Sequence, residues 1–525
     1  MDKLASSQEP ESLAFRSLTN ADSVSSDQDA SHCSSEEGYH DEITEQQLGL
    51  LTHHTKTDGL SEITTAPLFT YPILERAKQL AKAASAEAFS QYGLLAGDAR
   101  SLQEASSDDP RIFYNVATPS SVFICGNQGS GKSHTLSCIL ENCLVPSEKL
   151  GCLPRPLTGI VFHYDDYASD TRVAPCEAAY LGSHPAVRDS YSELEHVTVE
   201  ALRLDQADLN TKRMLELMAF DRAQPLYAQV IQRILRDMRL DQQDNPGNFN
   251  YGEFIRKLDE EKLSADQKRG LGQRLDTLQS FMVPEQVQRL AIPMKKKTRL
   301  GTDWTPKAGE LLIVDLSCPC VTASMACALF NICLSIFLAQ DSSLGRIVAL
   351  DEAHRYMGET SDSEVLTNSL LAAIRFQRHL GARIIISTQE PTISPKLLDL
   401  CSITIVHRFS SPDWLSVLTK HLAGISKVSK LTNKAHREDI SGEEENTGRH
   451  GLCGISVSSD DPILDLFSQI VELGTGEALV FAPSAMASLE NQGAKEIPRK
   501  LAHRVLRVVM RARITADGGR SIMAS

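Results

Sequence analysis

The sequence has no run of apolar residues long enough to cross a membrane. Its longest, Met325 to Ala339, is interrupted by Asn331 and Ser335, whereas a spanning helix needs about 20 predominantly apolar residues. The run therefore predicts a buried core helix. The chain opens with polar and acidic residues and lacks a secretory signal pattern. We therefore expect an intracellular protein, nuclear or cytoplasmic, with no membrane attachment.

Aromatic residues and basic charge are also scarce. Aromatics make up 6% of the 525 residues, and 53 Lys and Arg stand against 68 Asp and Glu, for a net charge of −15. Few aromatics argue against base stacking on single-stranded nucleic acid. The acidic balance argues against a nucleic-acid binder with an all-round basic coat, although a ring with a local basic lining is compatible with it.

The 12 cysteines show no spacing typical of a disulfide framework. Cys318 and Cys320 form a pair without a second pair or suitably spaced histidines, so this pair predicts no zinc site. We expect reduced thiols, as in a cytosolic or nuclear protein.

Composition and periodicity divide the chain into segments. The opening segment is rich in Ser, Thr and acidic residues and buries too little apolar surface to fold. Order is expected to begin near Pro72, with a helix that ends near Gly93. The predicted segments are a disordered acidic tail (1–65), an N-terminal helical segment (66–110), the first part of the core (111–205), a helical insertion (206–300), the second part of the core (301–490, with a flexible insertion at 424–461) and a basic C-terminal extension (491–525).

Short runs of β-branched and other apolar residues recur through the two core segments. Continuous apolar runs are typical of strands that helices cover on both faces, as in a parallel sheet. We therefore predict an α/β fold with a mostly parallel sheet. The predicted strands are 122–125, 160–164, 311–314, 347–350, 384–387, 403–406 and 478–481, with 197–204 as a further candidate.

A complete phosphate-loop motif, GNQGSGKS, occupies residues 126–133 between a predicted strand and a predicted helix. Glycines allow a tight turn in which backbone amides and the helix N-terminus surround an anion. Lys132 is expected to reach the β- and γ-phosphates, and the Ser133 hydroxyl to bind Mg²⁺. The predicted nucleotide-binding residues are Gly126, Asn127, Gln128, Gly129, Ser130, Gly131, Lys132, Ser133 and His134.

Two carboxylates follow the apolar run IVAL at 347–350. Ligands of open parallel sheets bind at the carboxyl ends of strands, so we predict that Asp351 holds Mg²⁺ and that Glu352 orients and polarises an attacking water. The alternative is that Asp351 only caps the next helix. Because the second carboxylate can activate a water molecule, the pair favours hydrolysis over phosphoryl transfer to a small molecule.

Polar and basic residues surround a third buried run, III at 384–386. Gln389 follows it and is predicted to sense the γ-phosphate; the alternative is a glutamine that faces solvent. Arg375, Arg378 and Arg383 precede or open the run. One of them could stabilise transition-state charge at a neighbouring subunit, as an arginine supplied in trans does, and we favour Arg378. Each is equally typical of a solvated helix residue.

Taken in order, GNQGSGKS, LLIVDLSCP (311–319), IVALDEAHRYM (347–357), RHLGARIIISTQEP (378–391) and GTGEALVF (474–481) resemble the HerA/FtsK branch of RecA-fold ring ATPases. The resemblance covers roughly 111–170 and 305–485. It implies a RecA-like core and a hexameric, Mg²⁺-dependent ATPase with sites at subunit interfaces. It also implies a motor on double-stranded DNA. The roles it implies are nucleotide binding for Lys132 and Ser133, Mg²⁺ binding for Asp351, catalytic base for Glu352, sensor for Gln389 and trans-acting arginine for Arg378.

Two basic stretches are candidates for contact with a polymer. PMKKKTR (293–299) is more typical of a solvated loop, and 499–513 is equally typical of a terminal strand or amphipathic helix. The leading prediction is a ring-forming ATPase that acts on a polymer, with double-stranded DNA favoured. The alternative is an ATP-gated interaction or scaffold protein, in which the tail and insertions recruit protein partners.

Overall fold

The computed structural model divides the chain into two units, residues 1–57 and 58–525, and the fold below is that of the second. The residues it describes are 47–48, 59–104, 108–166, 176–183, 198–217, 226–244, 249–287, 301–318, 320–340, 343–421, 462–492 and 495–516.

A large sheet forms the centre of this unit. Its strands are β1 (Leu68–Thr70), β2 (Tyr92–Asp98), β3 (Arg111–Asn115), β4 (Ser121–Cys125), β5 (Gly151–Cys152), β6 (Thr158–His163), β7 (Leu311–Asp315), β8 (Arg346–Leu350), β9 (Ala382–Thr388), β10 (Ile403–Val406), β11 (Glu477–Phe481), β12 (Met486–Gln492), β13 (Lys495–Lys500) and β14 (Leu506–Met510). In the described residues the strand order is β13-β12-β1-β3-β2-β14-β11-β10-β4-β9-β8-β6-β7, with β5 paired to β2.

Helices surround the sheet and fill the connections between its strands. They are α1 (Gly59–Thr64), α2 (Tyr71–Ala84), α3 (Ala99–Gln103), α4 (Lys132–Leu144), α5 (Thr211–Leu217), α6 (Leu226–Asp244), α7 (Tyr251–Asp259), α8 (Ala265–Phe281), α9 (Pro284–Val287), α10 (Ala323–Ala339), α11 (Ser361–Arg375), α12 (Gln377–Leu380), α13 (Pro395–Leu400), α14 (Pro412–His421) and α15 (Pro462–Val471).

The parallel half of the sheet consists of β10, β4, β9, β8, β6 and β7, which pair with one another in parallel. Every residue of β4, β6, β8, β9 and β10 is buried. This burial explains why these strands read as continuous apolar runs, because both faces are covered. The predicted α/β core with its parallel sheet is confirmed.

Two apolar cores cover the opposite faces of the parallel half. Val122 and Ile124 of β4 point into one core with Leu136 and Ile139 of α4. Alternate residues of the same strands point into the other core, which α10, α11 and the helices between 206 and 287 complete. Helix α10 contains the predicted apolar run and is buried along most of its length. None of the helices in the described ranges is long and apolar enough to cross a membrane.

The remaining strands form an antiparallel half in which only the β1–β12 pair is parallel. The prediction that 66–110 is helical is therefore wrong in part, because β1 and β2 flank α2. The predicted helix end is also wrong: α2 ends at Ala84, where Ser85 adopts a left-handed conformation, and Gly93 lies within β2. The basic extension proves to contain strands β13 and β14, one of the two predicted alternatives.

Ordered structure begins before the predicted boundary at residue 65. Helix α1 lies inside the predicted tail, and its Leu60 and Ile63 are buried with Phe69 and Ile73. These apolar residues stabilise the helix against the neighbouring strands. Most of the predicted tail lies outside the described residues, as do the flexible insertion at 424–461 and the basic stretch at 293–299.

The described part of the predicted insertion, between 206 and 287, is helical. The further strand candidate at 197–204 is not a strand in its described part. There, Leu204 makes only an isolated bridge to Met282 at the end of α8.

Candidate nucleotide site

The phosphate loop connects β4 to α4 and turns at three glycines. Gly126, Gly129 and Gly131 have φ values of 152°, 72° and 111°, a region that residues with side chains rarely adopt. A Cβ atom at Gly126 would also lie 2.7 Å from the Cβ of His407. Both conformation and space therefore require glycine at Gly126, and α4 begins directly after Gly131.

Hydrogen bonds inside the loop converge on the Asn127 carbonyl. It accepts from the Ser130 hydroxyl at 2.7 Å and from the Lys132 ammonium at 3.0 Å. Lys132 is buried. Burial lowers its pKa, and the nearby Glu352 and Asp351 carboxylates partly counter this effect. The lysine therefore lies within electrostatic range of both predicted acids.

Strand register explains why residues distant in sequence lie near one edge. Strand β9 separates β4 from β8; Cys125 pairs with Thr388, and Leu350 pairs with Ile386. Because the three strands are parallel, the residues after their carboxyl ends emerge along the same side of the sheet. The phosphate loop, Asp351–Glu352 and Gln389 are therefore brought together, as the sequence predicts.

Glu352 adopts a left-handed backbone conformation with φ 45° and ψ 46°, which is uncommon for a residue with a side chain. Its Oε2 accepts a hydrogen bond from the Gln389 amide at 3.3 Å and lies 3.3 Å from Nδ1 of His354. Burial lowers the pKa of His354, against the opposing effect of Glu352. Its neutral Nδ1 can thus accept the Gln389 backbone N–H at 3.4 Å.

Asp351 is almost fully buried, and its Oδ1 has no hydrogen-bond partner among the described residues. The alternative role as a helix cap does not describe it, because Glu352 is the N-terminal residue of the short helical turn that follows and no side chain caps that turn. Ser133 lies half-buried in the first turn of α4. Hydroxyl and carboxylate oxygens are the ligands that Mg²⁺ prefers, so this donor set fits that ion.

Other predicted nucleotide-binding residues differ in what their side chains do. Gln128 and Gly129 are exposed at the tip of the loop, whereas Ser130 is buried. A ring nitrogen of His134 lies 2.8 Å from the backbone carbonyl of Arg511, which follows β14. The His134 ring is thus held by the C-terminal segment, and only its backbone remains for the predicted binding role.

The predicted arginines lie near the amino ends of the parallel strands, whereas the phosphate loop lies at the carboxyl ends. Arg378 precedes β9, whereas Gln389 follows it, and the 7 residues of β9 span about 20 Å. The exposed Arg378 borders a pocket of about 360 Å³, with Arg155, Arg346 and Arg383 also in its lining. The structure therefore does not bring Arg378 to the phosphate loop of its own chain.

Arg375 and Arg383 differ in exposure. Arg375 is exposed at the end of α11. Arg383 is buried, and its guanidinium donates to the backbone carbonyls of Gly381, Val116 and Ala117. These contacts fix Arg383 inside the protein and leave it unsuited to reach another subunit.

The sequence reasoning missed two histidines that follow or end buried strands. His407 follows β10, is fully buried, and hydrogen-bonds Thr135 of α4 and the Glu477 carbonyl, each at 2.9 Å. Burial lowers its pKa to about 4, and the positive charges of Lys132 and His134 act in the same direction. His163 ends β6 beside Asp351. In the sequence, the only indication of these two histidines was that each follows an apolar run.

No protein-family model and no curated protein sequence matches the chain. Among solved structures, VirB4 of Thermoanaerobacter pseudethanolicus is 11% identical with a TM-score of 0.44, over 82% of this chain and 98% of that one. The plasmid coupling protein TrwB in complex with a non-hydrolysable ATP analogue is 13% identical, with a TM-score of 0.39 over 82% and 95%.

A third solved structure is the genome packaging NTPase B204 from Sulfolobus turreted icosahedral virus 2, in complex with ATP-gammaS. It is 10% identical, with a TM-score of 0.27 over 69% of this chain and 92% of that one. Likenesses of this size leave the function to be argued from the residues of the chain itself.

Proposed function

We propose that the protein is a Mg²⁺-dependent ATPase of the HerA/FtsK type that works as a ring on a polymer. One observation carries the proposal: Glu352 and Gln389 are in contact at the sheet edge where the phosphate loop begins, and Lys132 lies within electrostatic range of the acids. A phosphate cradle beside a carboxylate–amide pair is the arrangement that hydrolysis of a nucleoside triphosphate requires.

Each residue has a distinct part in this mechanism. The loop amides and Lys132 bind the phosphates, and Ser133 with Asp351 would hold Mg²⁺, which neutralises phosphate charge when bound. Glu352 accepts a proton from the attacking water. Gln389 holds the Glu352 carboxylate through its side-chain amide and so couples the state of the phosphate to the β9 end.

The arginine position supports assembly into a ring. Arg378 lies at the amino ends of the parallel strands, and the phosphate loop lies at their carboxyl ends. Arg378 can therefore stabilise a phosphate only in a neighbouring copy of the chain. A hexamer, as the sequence resemblance implies, would place the two edges face to face at each interface. Arg378 and the exposed Arg375 remain the candidates for this role, and Arg378 is favoured.

Substitution of Glu352 and Lys132 tests the proposed ATPase activity. Glu352→Gln should reduce the turnover number by about 10²–10⁴-fold because it removes the base, while ATP binding persists. Lys132→Ala should weaken ATP binding itself. Lys149→Ala and Glu359→Gln, both at exposed positions, are the matched controls and should behave like the wild type. Equal hydrolysis rates in all five proteins would exclude the enzymatic function.

A second candidate is the ATP-gated scaffold. It is favoured because basic residues near the C-terminus form ion pairs with acidic residues of the same chain. Arg507 pairs with Glu477 at 2.8 Å, Arg511 with Glu141 at 2.6 Å and Lys500 with Glu62 at 2.5 Å. These pairs leave less basic surface for DNA.

Two measurements separate the candidates: native mass with and without ATP, and ATP turnover with duplex DNA, single-stranded DNA, RNA or no polymer. A hexamer that duplex DNA stimulates supports the motor. A monomer whose turnover ignores every polymer supports the scaffold.

A further inference from the structure

Three buried side chains of different chemistry meet beside the candidate nucleotide site. His163 ends β6, Asp351 follows the adjacent strand β8, and Cys176 precedes the short helical turn Glu177–Ser183. One ligand atom from each lies within 4.8 Å of the others, and all three residues are buried. The sequence offers no motif for this cluster, because the cysteine comes from a separate connection.

The distances fit a tetrahedral metal centre. Nδ1 of His163 lies 3.3 Å from Oδ2 of Asp351, and Sγ of Cys176 lies 3.8 Å from the same oxygen. Ligand atoms about 2.0–2.3 Å from a tetrahedral zinc ion are separated from one another by roughly 3.3–3.7 Å. The two separations that involve Asp351 are therefore close to those around a bound zinc ion, and the third, between His163 and Cys176, is at most 4.8 Å.

The polar atoms of the cluster are poorly satisfied by the protein. Among the described residues, Nε2 of His163 and Oδ1 of Asp351 have no hydrogen-bond partner, and Nδ1 of His163 faces Oδ2 of Asp351 without forming a well-aligned hydrogen bond. The Cys176 thiol lies 3.8 Å from Oδ2 of Asp351, at the long limit for a hydrogen bond from sulfur. Buried polar groups without partners cost about 1–3 kcal/mol each, and a bound ion is one of the few ways to satisfy several of them side by side.

We propose that His163, Cys176 and Asp351 form a zinc-binding site with an open fourth position. Nitrogen and thiolate ligands select zinc over Mg²⁺ and Ca²⁺, which prefer oxygen. Three protein ligands with one open position are a known zinc arrangement. When the ion binds, the sulfur–hydrogen bond of Cys176 breaks, a zinc–sulfur bond forms, and the proton leaves to solvent.

The site has a regulatory consequence that rests on the proposed function. Asp351 is also the carboxylate assigned to Mg²⁺, and a zinc ion bound to it would neutralise the charge on which the magnesium site depends. Zinc should therefore inhibit ATP turnover, and a chelator should restore it.

Cobalt(II) is the probe that tests the site, because a cobalt–thiolate bond absorbs in the near ultraviolet. Cobalt(II) is titrated into the full-length protein without nucleotide. The wild type should show thiolate-to-cobalt absorption that saturates at one equivalent, and zinc should abolish it. Cys176→Ser should lose the absorption, and His163→Gln should weaken the binding at least tenfold. Cys152→Ser, which removes an exposed cysteine outside the cluster, should retain it.

The titration separates this inference from the ATPase, because it uses no nucleotide. Absorption that is absent in the wild type, or equal in the wild type and Cys176→Ser, would overturn the site. Circular dichroism and gel filtration identify a variant that has not folded, and the two cluster variants then test the site independently. A protein that binds cobalt but hydrolyses no ATP would retain the zinc site and lose the proposed function.

Discussion

At the scale of single residues, His407 links the phosphate loop to the rest of the sheet. Its Nδ1 faces the Glu477 carbonyl, which can only accept, so Nδ1 carries the hydrogen. Nε2 is then free of a proton and accepts from the Thr135 hydroxyl at 2.9 Å. A proton on Nε2 would break this bond and place a charge in a fully buried site near Lys132.

This arrangement predicts a loss of stability in mild acid. The pKa of His407 is lowered from 6.5 to about 4 in the folded protein, so its contribution is complete above pH 6.5 and is lost as the pH falls towards 4. Between pH 7 and pH 5 the loss should be about 2 kcal/mol in the free energy of unfolding. Urea denaturation of the wild type and of His407→Gln at both pH values measures it.

The free energy of unfolding of His407→Gln should change less between pH 7 and pH 5 than that of the wild type, by about 2 kcal/mol. The variant has no group that titrates at this position. His379→Gln, at an exposed position, is the control and should keep the wild-type dependence. If His407→Gln and the wild type lose equal stability between the two pH values, the neutral buried histidine is not the cause.

The residues that the sequence could identify are those with a motif. Lys132, Asp351, Glu352 and Gln389 each follow a readable apolar run, and their placement at one edge was predictable from parallel strands; their roles stay predictions. His407 follows a similar run, but a lone histidine carries no motif. Cys176 had no signal, because nothing in its segment indicates which strand ends it approaches.

At the scale of elements, the C-terminal segment is tied to the phosphate-loop helix. Arg511, directly after β14, donates to Glu141 of α4 at 2.6 Å, to the Leu94 carbonyl of β2 at 2.7 Å and to the Cys138 carbonyl at 2.9 Å. Glu141 is fully buried and also accepts from Thr515. Burial raises the pKa of Glu141, but Thr515 and Arg511 lower it by more, so the carboxylate stays charged.

Removal of this arginine should strongly destabilise the protein. Arg511→Ala removes the nearer of two guanidinium groups beside the buried Glu141, since Nε of Arg513 lies 4.0 Å from Oε1. The loss should cost about 3 kcal/mol in the free energy of unfolding. Arg499→Ala removes an exposed arginine that pairs with the exposed Glu490 and should cost less than about 1 kcal/mol. Thermal and urea unfolding compare the two; similar losses would contradict a structural role for the Arg511–Glu141 pair.

The elements were predictable to different degrees in the two halves of the sheet. Strands of the parallel half are buried on both faces, so their continuous apolar runs located them to within a few residues. Strands such as β13, with the sequence KEIPRK, are polar and partly exposed, and no run marks them. Strand β1 is only 3 residues long, and the strong helical pattern of α2 beside it dominated the prediction for 66–110.

At the scale of the whole molecule, the proposed base and the proposed trans-acting arginine lie at opposite ends of the parallel strands. Glu352 lies at the carboxyl ends of the parallel strands, and Arg378 lies at their amino ends. Neither edge holds a complete set of groups. A catalytic centre that contains both must therefore combine two copies of the chain.

This geometry predicts complementation between inactive variants. Glu352→Gln and Arg378→Ala should each hydrolyse ATP poorly, but a mixture should exceed the average of the two. In a mixed ring, an Arg378→Ala subunit supplies Glu352, and its Glu352→Gln neighbour supplies Arg378. Steady-state hydrolysis across mixing ratios measures the gain. Arg375→Ala in place of Arg378→Ala tests the less favoured arginine, and Lys149→Ala in its place is the control. Rates that follow the simple average at every ratio would contradict a shared site.

The position of β14 between β2 and β11 has a consequence for how the chain is made. Strands β1 to β3 leave the ribosome early, but the strand that joins them to the rest of the sheet is encoded only at 506–510. Until then β11 and the part of β2 beyond its short pairing with β5 each keep an open edge, and open edges recruit other strands. A message truncated just before residue 506 should therefore yield aggregates that chaperones must clear, even though every proposed catalytic residue has been translated.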